Sequence, residues 1–526
     1  MKLLERDKAT YPENGVIYEG DYYRALPFQE YIHAQPLNLQ NPVFDIRDYG
    51  AIGDGATLCT EAFCEASLAA QQAGGGTILV DGGYYCTGTV RIPSNTTLWI
   101  AQGSALVASK DLTRYGDSLL EFVDAENVKL TGGGKVLGNG EYFVYLPAKR
   151  PLTEPLPYTK LPPQLFDPMG YPADTIRFAY RSRIRYAEDK YGDNLPPIKR
   201  PMYTVWVRGC KNVKIENIVI ESAFSWTLCL DYSERVSVRD LVINDNRHVA
   251  NTDGIDIMGC TDVTIDHCFI SCADDGICIK APGLQGHDGL DVSDKLAMGA
   301  TRDVSIKNCT VMSVMNCFKI GTETYFDIEN VSVEHCRFLL PDIYPGAVSG
   351  ISIESADGSH VRHIRVSDVA MEKVCCPLFI CLNKRNKFGF VKEAGREERP
   401  LGGVIEDVVI ENIHATDMEV PCIITGYRAN VHGQDVTRRV SDISINDFHA
   451  AYRDNEEILD IQTPVHESVT DYPESNAFGD VPAFGFYIRH ARNVSLSECT
   501  IIPRSTNKRP YMIEEDSLND TTGKKD

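Results

Sequence analysis

The stretch Asn212-Val-Lys-Ile-Glu-Asn-Ile-Val-Ile220 decides the fold, because the chain repeats its pattern many times. In each copy β-branched residues alternate with polar ones, which is typical of a half-buried strand. Two clear copies are Asp262-Val-Thr-Ile-Asp-His-Cys-Phe-Ile270 and Asn330-Val-Ser-Val-Glu-His-Cys-Arg-Phe338. Further copies begin at Arg235, Asp303, Glu406, Ser441 and Arg492.

The spacing of these copies indicates how the strands are arranged. The valines in second position fall at 213, 236, 263, 304 and 331, so the intervals are 23, 27, 41 and 27 residues. Variable intervals around one coil length indicate loops inserted beside a constant strand stack. A sandwich or barrel would need tight two-residue hairpin turns, which are scarce here. The sequence therefore predicts an all-β fold, a single-stranded right-handed parallel β-helix, also called a pectin-lyase-like solenoid.

The rest of the chain is interpreted around this stack. Residues 60–73 begin with Thr60, carry acids in the first turn and stop at three glycines, which predicts an N-terminal capping helix. We expect an N-terminal arm at 1–42, one β-helix domain at 43–502 with a loop insertion at 141–202, and a loosely held tail at 503–526. Residues 281–300, 383–402 and 451–482 are expected to be further large loop insertions.

Composition and charge exclude several classes of partner. The net charge of −22 argues against binding to nucleic acid or to anionic membranes, and fits poorly with a long polyanionic substrate. No stretch reaches the roughly 20 apolar residues of a membrane-spanning helix. The N-terminus lacks the apolar region of a signal peptide. The 17 scattered cysteines suggest thiols in a reducing compartment. We therefore expect a cytoplasmic protein; the oligomeric state stays open.

Three acids fall one coil apart in the predicted stack. Asp253 lies in Asn251-Thr-Asp-Gly254, and the pair Asp274-Asp275 follows 21 and 22 residues later. Neighbouring strands are about 4.8 Å apart, so the three carboxylates would converge on one patch. Charges this close resist simultaneous ionisation, which leaves a proton donor beside a base, as in a glycosidase. The alternative is that these are ordinary turn residues.

Several motifs resemble those of family 28 glycoside hydrolases, the polygalacturonase family of pectin-degrading enzymes. The signature is Asn251-Thr-Asp253 followed by Asp274-Asp275, and the likeness covers roughly residues 43–140 and 203–370. Phe44-Asp-Ile-Arg-Asp-Tyr-Gly-Ala-Ile-Gly-Asp-Gly55 also resembles the start of pectin-degrading β-helices. The resemblance implies that Asp274 is the general acid, that Asp253 and Asp275 activate the attacking water, and that the anomeric carbon is inverted.

Two departures from the family pattern concern the sugar. The family has a histidine where this chain has Asn316, and an Arg-Ile-Lys clamp for the galacturonate carboxylate where it has Ser352-Ile-Glu354. Glu354 would repel a carboxylate. We therefore expect a neutral sugar whose hydroxyls bind Glu354 and Asn316. Cations elsewhere could restore uronate binding, namely Arg247, His248, Lys319, Arg181, Arg183 and Arg185.

Further substrate-binding candidates lie beside these motifs. Asn251, in the acid motif, is one of them. Lys280, Lys319 and Glu323 are as compatible with structural roles as with facing the cleft. Ser352, Glu354, Asn316, Arg247 and His248 complete the predicted substrate-binding set. We expect neither a metal nor an organic cofactor. Asn217, Asn308, Asn330 and Asn412 resemble the internal asparagine ladders of β-helices.

The sequence thus favours a glycosidase that hydrolyses a pectin-derived or other plant oligosaccharide by exo action, since large loops would close one end of the cleft. One alternative is a β-helix polysaccharide lyase or epimerase acting on uronates. A lyase requires a calcium-binding cluster of acids and an arginine that acts as the base. Another alternative is a β-helix that binds carbohydrate without catalysis.

Overall fold

The computed structural model describes the chain in segments: residues 2–3, 18–19, 28–34, 39, 41–140, 200–245, 249, 251–283, 299–339, 347–385, 402–431, 433–453, 464–504 and 507–519. These residues form two compact units. The first holds the described residues of Met1–Asp256 and Thr264–Gly276. The second holds those of Ile257–Val263, Ile277–Leu340 and Gly346–Asp526. The expectation of one domain over 43–502 stays a prediction.

The first unit is built from short parallel strands, a capping helix and a one-turn helix. Its helices are α1 (Phe28–Tyr31) and α2 (Thr60–Gln72), with 3-10 turns at Ile46–Tyr49 and Leu112–Arg114. Its strands are β1 (Lys2–Leu3), β2 (Tyr18–Glu19), β3 (Val43–Asp45), β4 (Asp54–Leu58), β5 (Gly76–Val80), β6 (Tyr84–Thr87), β7 (Val90–Arg91), β8 (Thr96–Ile100), β9 (Ala105–Ala108), β10 (Ser118–Val123), β11 (Glu126–Thr131), β12 (Lys135–Leu137), β13 (Tyr203–Arg208), β14 (Lys211–Glu221), β15 (Trp226–Asp231), β16 (Glu234–Asn244), the shared strands β17 (Ile255–Met258) and β18 (Thr261–Asp266), and β19 (Phe269–Cys272).

The second unit consists almost entirely of strands. A single 3-10 turn among its described residues spans Ser475–Phe478. Its strands are β20 (Ile277–Ala281), β21 (Thr301–Lys307), β22 (Thr310–Ser313), β23 (Asn316–Thr324), β24 (Ile328–Leu339), β25 (Ala347–Ser355), β26 (His360–Glu372), β27 (Val374–Leu382), β28 (Val404–Met418), β29 (Cys422–Thr425), β30 (Tyr427–Val431), β31 (Gln434–Arg438), β32 (Val440–Tyr452), β33 (Phe486–Arg489), β34 (Ala491–Ile502) and β35 (Met512–Glu515).

Parallel pairing of equivalent positions confirms the repeat. In the first unit Val213 of β14 pairs with Val236 of β16. In the second, equivalent apolar residues of β21, β24, β26, β28 and β32 pair in one continuous row, and all are buried: Val304, Val331, Ile364, Val408 and Ile443. The pairs β1–β2 and β30–β31, outside these rows, are antiparallel. The predicted parallel β-helix is confirmed, with its core along these rows.

Two columns of turn residues explain the polar positions of the repeat. The residue before each repeat valine, such as Asn212, and the residue five places later, such as Asn217, both have positive φ angles. Asn and Asp tolerate this left-handed conformation better than most residues. Neighbouring turns are joined by side-chain hydrogen bonds, for example from Asn127 Nδ2 to Asn95 Oδ1 and from Asn212 Nδ2 to Asn127 Oδ1, both 2.9 Å.

The expected internal asparagine ladder lies at these turns instead. Asn308 and Asn330 are exposed, Asn412 is half-buried, and only Asn217 is buried. Asn217 is covered by the N-terminal arm: its Oδ1 accepts from His33 N at 2.7 Å and its Nδ2 donates to His33 O at 2.9 Å. The physical reason is that all four residues have positive φ angles, so they lie at bends of the coil and not on the alternating core face.

Helix α2 confirms the predicted cap, with one change at its start. Its buried face packs against β3, β5 and β7 through Phe63 and three alanines. Cys59, without a side-chain cap, occupies the N-cap position, and Thr60 is the first helical residue. Thr60 Oγ1 instead accepts a hydrogen bond from Gly88 N at 2.8 Å.

The C-terminal region differs from the expected loose tail. Strand β35 pairs in parallel with β33, and Tyr487 Oη donates to Glu515 Oε2 at 2.8 Å. The sheet therefore continues past residue 502. Of the expected loop insertions, residues 141–199, 284–298, 386–401 and 454–463 lie outside the described residues.

All 17 cysteines are thiols, and most are buried in the strand core. Burial raises the pKa of the Cys381 and Cys422 thiols, which keeps them protonated. None of the helices in the described residues has the length and apolar character needed to span a membrane.

Burial in the core rows predicts how much a truncated side chain lowers the free energy of unfolding. Ile410 is 0% exposed and pairs with Val366 and Ile445. Replacing it with alanine leaves a cavity in a continuous core, so Ile410→Ala should lower the free energy of unfolding by about 2–5 kcal/mol. The matched control is Ile502→Ala, because Ile502 is 61% exposed. The urea midpoint measures both; equal effects of the two substitutions would contradict the proposed core.

Candidate active site

The three predicted acids converge in the first unit. One carboxylate oxygen each of Asp253, Asp274 and Asp275 lie within 4.8 Å of one another. The residues are buried, with exposures of 4%, 5% and 4%. Carboxylates this close repel one another when all are charged. The three side chains therefore form the buried acidic cluster that the sequence predicted.

Strand register brings the acids together. Thr227 N donates to Asp253 O, and Gly254 N donates to Asp275 O, both at 2.9 Å. Asp253 and Asp275 therefore occupy equivalent positions on neighbouring coils. A Cβ added to Gly254 would lie 2.4 Å from Ile270 Cγ2 and 2.5 Å from Gly276 O. The glycine allows this close approach.

A buried threonine fixes the turn that carries the acids. Thr252 Oγ1 accepts from Ala273 N and donates to Val249 O, both at 3.1 Å. It links the turn before Asp253 to the turn before Asp274. On the other side, Cys272 Sγ donates to Asp274 O at 3.3 Å. Both acidic turns are therefore held by side chains buried beneath them.

Asp274 is held through both carboxylate oxygens. Its Oδ1 accepts from Asp275 N at 3.1 Å, and its Oδ2 lies 3.5 Å from Asn251 Nδ2. Asn251 has a φ of 56°. Its Oδ1 accepts from Arg200 Nη2 at 3.1 Å, which sets the orientation of the amide. Asn251 thus contacts the predicted acid, while Arg200 was not expected from the sequence.

A second group of charged residues lies in the second unit, on adjacent strands β23 and β25. Lys319 pairs in register with Ser352. Lys319 Nζ is 3.7 Å from Glu354 Oε1, and both residues are 0% exposed. Ser352 Oγ donates to the same Oε1 at 2.7 Å. Glu354 is therefore engaged by a cation and a hydroxyl.

Arg385 and two acids extend this group. Arg385 Nε donates to Asp357 Oδ1 at 3.2 Å, and Arg385 Nη1 lies 3.8 Å from Glu323 Oε1. Burial lowers the pKa of Arg385, but the hydrogen bond to Asp357 and the charges of Asp357 and Glu323 together more than offset it. The net shift is upward, so Arg385 is a permanent cation.

The ring of Tyr472 lies beside both cations of the second unit. Lys319 Nζ is 5.2 Å and Arg385 Cζ 5.8 Å from its ring centroid. We call the six residues Lys319, Glu323, Glu354, Asp357, Arg385 and Tyr472 the charged cluster. Its two cations and three carboxylates sum to a formal charge of −1.

Comparisons with known proteins agree with this geometry. The sequence model for Glycosyl hydrolases family 28 matches residues 186–447, which include all three acids and strands β23 and β25. This chain belongs to family 28. A probable polygalacturonase of Vitis vinifera is 24% identical over 331 residues, which are 62% of this chain and 60% of the relative. The chain thus spans less than two thirds of that relative's length.

Two solved structures show the same fold. The exopolygalacturonase of Thermotoga maritima has a TM-score of 0.59 at 17% identity, covering 91% of this chain and 95% of its own. The family 28 exopolygalacturonase of Yersinia enterocolitica has a TM-score of 0.63 at 17% identity, covering 91% and 77%. Both support the parallel β-helix of this family 28 chain.

The other predicted site residues are placed as follows. Asn316, at the position of the family's histidine, is buried and pairs with Ser349. Lys280 is buried, and its backbone oxygen accepts from Thr301 Oγ1 at 2.6 Å. Glu323 belongs to the charged cluster. Arg247 and His248 lie outside the described residues. The substrate contacts of the whole set stay predictions.

Sequence reasoning missed Tyr472, Arg385, Asp357 and Arg200. None belongs to a repeat copy or a family motif. Arg385 and Tyr472 fall in segments that were interpreted only as loop insertions. The one available signal was that large insertions often carry functional residues.

The close approach of Gly254 to the backbone of Gly276 predicts the effect of a larger residue at this position. Gly254→Ala should force apart the coils that carry Asp253 and Asp275, at a cost of about 1–3 kcal/mol. Hydrogen exchange of the peptide around residues 251–258 should accelerate. Gly116→Ala is the control, since a Cβ at Gly116 would lie no closer than 3.4 Å to a neighbour, Glu121 Oε1, and the backbone there is not left-handed. Unchanged exchange in Gly254→Ala would show that the coils need no glycine.

Proposed function

We propose that this family 28 chain is a glycosidase that hydrolyses a glycosidic bond in a pectin-derived or other plant oligosaccharide. The observation that carries the proposal is the buried cluster of Asp253, Asp274 and Asp275, with oxygens within 4.8 Å. Paired carboxylates that share protons supply both the acid and the base of glycoside hydrolysis. The chain's family membership supports this chemistry.

Each acid has a role in the proposed mechanism. Asp274 gives its proton to the leaving glycosidic oxygen as the bond to the anomeric carbon breaks. Asp253 and Asp275 hold a water molecule and take its proton as the water attacks that carbon from the opposite face. One proton enters and one leaves the cluster, and the product is inverted. Inversion is inferred from the family, since the distance within the cluster does not decide it.

The reactive sugar is proposed to be neutral. The positions that hold a uronate carboxylate in the family pattern are Ser352 and Glu354 here. Glu354 is fully buried and engaged by Lys319, and the charged cluster has a net charge of −1. A carboxylate brought to this cluster would meet no uncompensated cation among the described residues. A sugar with a hydroxymethyl group would meet no such repulsion.

Exo action and a cytoplasmic location complete the proposal. Two structural relatives are described as exopolygalacturonases, which favours exo action here. All 17 cysteines are thiols, which is compatible with a reducing compartment. An oligosaccharide taken up from plant cell-wall material would then be the substrate.

The acid cluster gives the first test of function. Asp274→Asn should lower the rate of reducing-sugar release from pectic oligosaccharides by about 10²–10⁴-fold, because the leaving oxygen loses its proton donor. Asp262→Asn is the control, since Asp262 is an exposed turn residue with a φ of 59° that asparagine tolerates. If Asp274→Asn keeps its activity, Asp274 is not the general acid.

The substrate proposal has its own test. Wild-type protein should release neutral sugars faster than galacturonate from a matched panel of oligosaccharides. Glu354→Gln keeps the shape but removes the charge that compensates Lys319, so the ratio should move toward galacturonate by about 10-fold. Ser352→Ala is the control, because it alters the same hydrogen-bond network without changing charge. Preference for galacturonate in the wild type would contradict the neutral-sugar proposal while preserving the glycosidase.

The same panel separates the alternatives. An unsaturated product that absorbs in the ultraviolet would indicate a lyase, and a changed sugar configuration without cleavage would indicate an epimerase. Binding of oligosaccharide without any product, equal in wild type and Asp274→Asn, would indicate a carbohydrate-binding β-helix.

A further inference from the structure

Tyr472 reaches the charged cluster from a segment that does not belong to the strand repeat. Residues 464–478 of the second unit are held by main-chain contacts at several points. Asn383 Nδ2 donates to Asp471 O at 2.9 Å, and Lys384 N donates to Val469 O at 2.7 Å. Arg489 donates to Val465 O at 3.0 Å and to His466 O at 2.9 Å. These bonds fix the backbone on the N-terminal side of Tyr472.

A hydroxyl contact on the other side completes the placement. Ser349 Oγ of β25 donates to Ser475 Oγ at 3.2 Å, and Ser475 Oγ donates to Val348 O at 3.4 Å. Tyr472 therefore lies between two anchored stretches. The position of its ring is determined by the fold and not by the ring's own contacts alone.

The phenol of Tyr472 contacts the Lys319 ammonium in two ways. Lys319 Nζ is 3.5 Å from the phenol oxygen and 5.2 Å from the ring centroid. Thr322 Oγ1 donates to the same phenol oxygen at 2.9 Å, which holds the ring in place. Since Lys319 is 0% exposed, its charge needs nearby partners to offset the loss of water. Tyr472 and Glu354 supply them.

Arg385 does not depend on Tyr472 in the same way. It is bound by Asp357 through Nε and Nη2, and Nη2 also donates to Thr322 O at 2.9 Å. Removing the ring would leave those bonds intact. Of the two cations beside Tyr472, Lys319 is thus the one whose position the ring controls.

We propose that Tyr472 is a positioning residue for substrate specificity: it holds the Lys319 ammonium against Glu354, and so withholds that cation from sugars that carry a carboxylate. The specificity part rests on the proposed function. Without the ring, Lys319 loses its aromatic partner and becomes able to pair with a uronate. The segment 464–478 thereby sets the sugar preference through a single aromatic side chain.

Chemical labelling tests the position of Lys319 without any substrate. Wild-type protein, Tyr472→Phe and Tyr472→Leu are treated with acetic anhydride, and peptides are quantified by mass spectrometry. Lys319 should react at least about 10-fold faster in Tyr472→Leu than in wild type, since it loses both the ring and the phenol oxygen. Tyr472→Phe keeps the ring and should stay close to wild type. Exposed Lys214 is the internal control and should not change.

The labelling rate of Lys319 decides whether Tyr472 positions its ammonium group. Equal labelling of Lys319 in wild type and Tyr472→Leu overturns the positioning role. If Tyr472→Leu does not fold, Tyr472→Met removes the ring and the phenol oxygen but keeps a long apolar side chain; faster labelling of Lys319 than in wild type is then expected, and no increase overturns the role.

Binding of a matched sugar pair tests the specificity. D-galactose and D-galacturonate differ only at C6, and calorimetry gives the ratio of their affinities. The ratio should shift toward galacturonate by about 10-fold in Tyr472→Leu. A merely structural role would weaken both sugars alike, and an unchanged ratio overturns the specificity claim. Absence of hydrolysis would refute the glycosidase while leaving the labelling result and this ratio intact.

Discussion

In-register stacking of parallel coils is the constraint on which the structure depends. Each coil places equivalent residues about 4.8 Å from their neighbours, so any side-chain type that recurs in the repeat becomes a continuous row. The buried row from Val304 to Ile443 lies in the core of the second unit. Left-handed residues such as Asn212 form the bends of each coil. A residue shifted by one place would exchange the core face for the solvent face. Register therefore sets the positions of the functional side chains that the strands carry.

The same constraint concentrates charge in a way the fold must tolerate. Equivalent positions on neighbouring coils bring Asp253 and Asp275 together, and Gly254 keeps the coils close. Three buried carboxylates repel one another and destabilise the native state. The surrounding turns are held by hydrogen bonds of the buried side chains of Thr252 and Cys272. They hold a strained group of charges in place, which is how active sites commonly combine reactivity with a stable scaffold.

Features that depend on the local repeat could be predicted from the sequence, whereas contacts between residues far apart in the chain could not. The repeat predicted the β-helix, and the spacing of Asp253 from Asp274 and Asp275 predicted their convergence, because both depend on coil length alone. The ion pair of Glu354 with Lys319, and the contact of Lys319 with Tyr472, could not be predicted. Lys319 lies on a neighbouring coil, and Tyr472 is 153 residues from Lys319 in sequence. The identity of position 354 suggested a direct contact with sugar hydroxyls; the structure shows a buried carboxylate engaged by Lys319 and Ser352. Loop contacts of this kind are set by tertiary packing, which no repeat pattern encodes.

Charge compensation in the second unit limits how specificity can change. A buried ion pair contributes little net stability, but losing one partner leaves an uncompensated charge. Glu354 and Lys319 are both fully buried, so neither can be replaced by an opposite charge alone. A lysine at position 354 would lie beside Lys319, and the other carboxylates of the charged cluster, Asp357 and Glu323, already contact Arg385. Under the proposed preference for a neutral sugar, a change to a uronate substrate therefore requires that positions 319 and 354 change together.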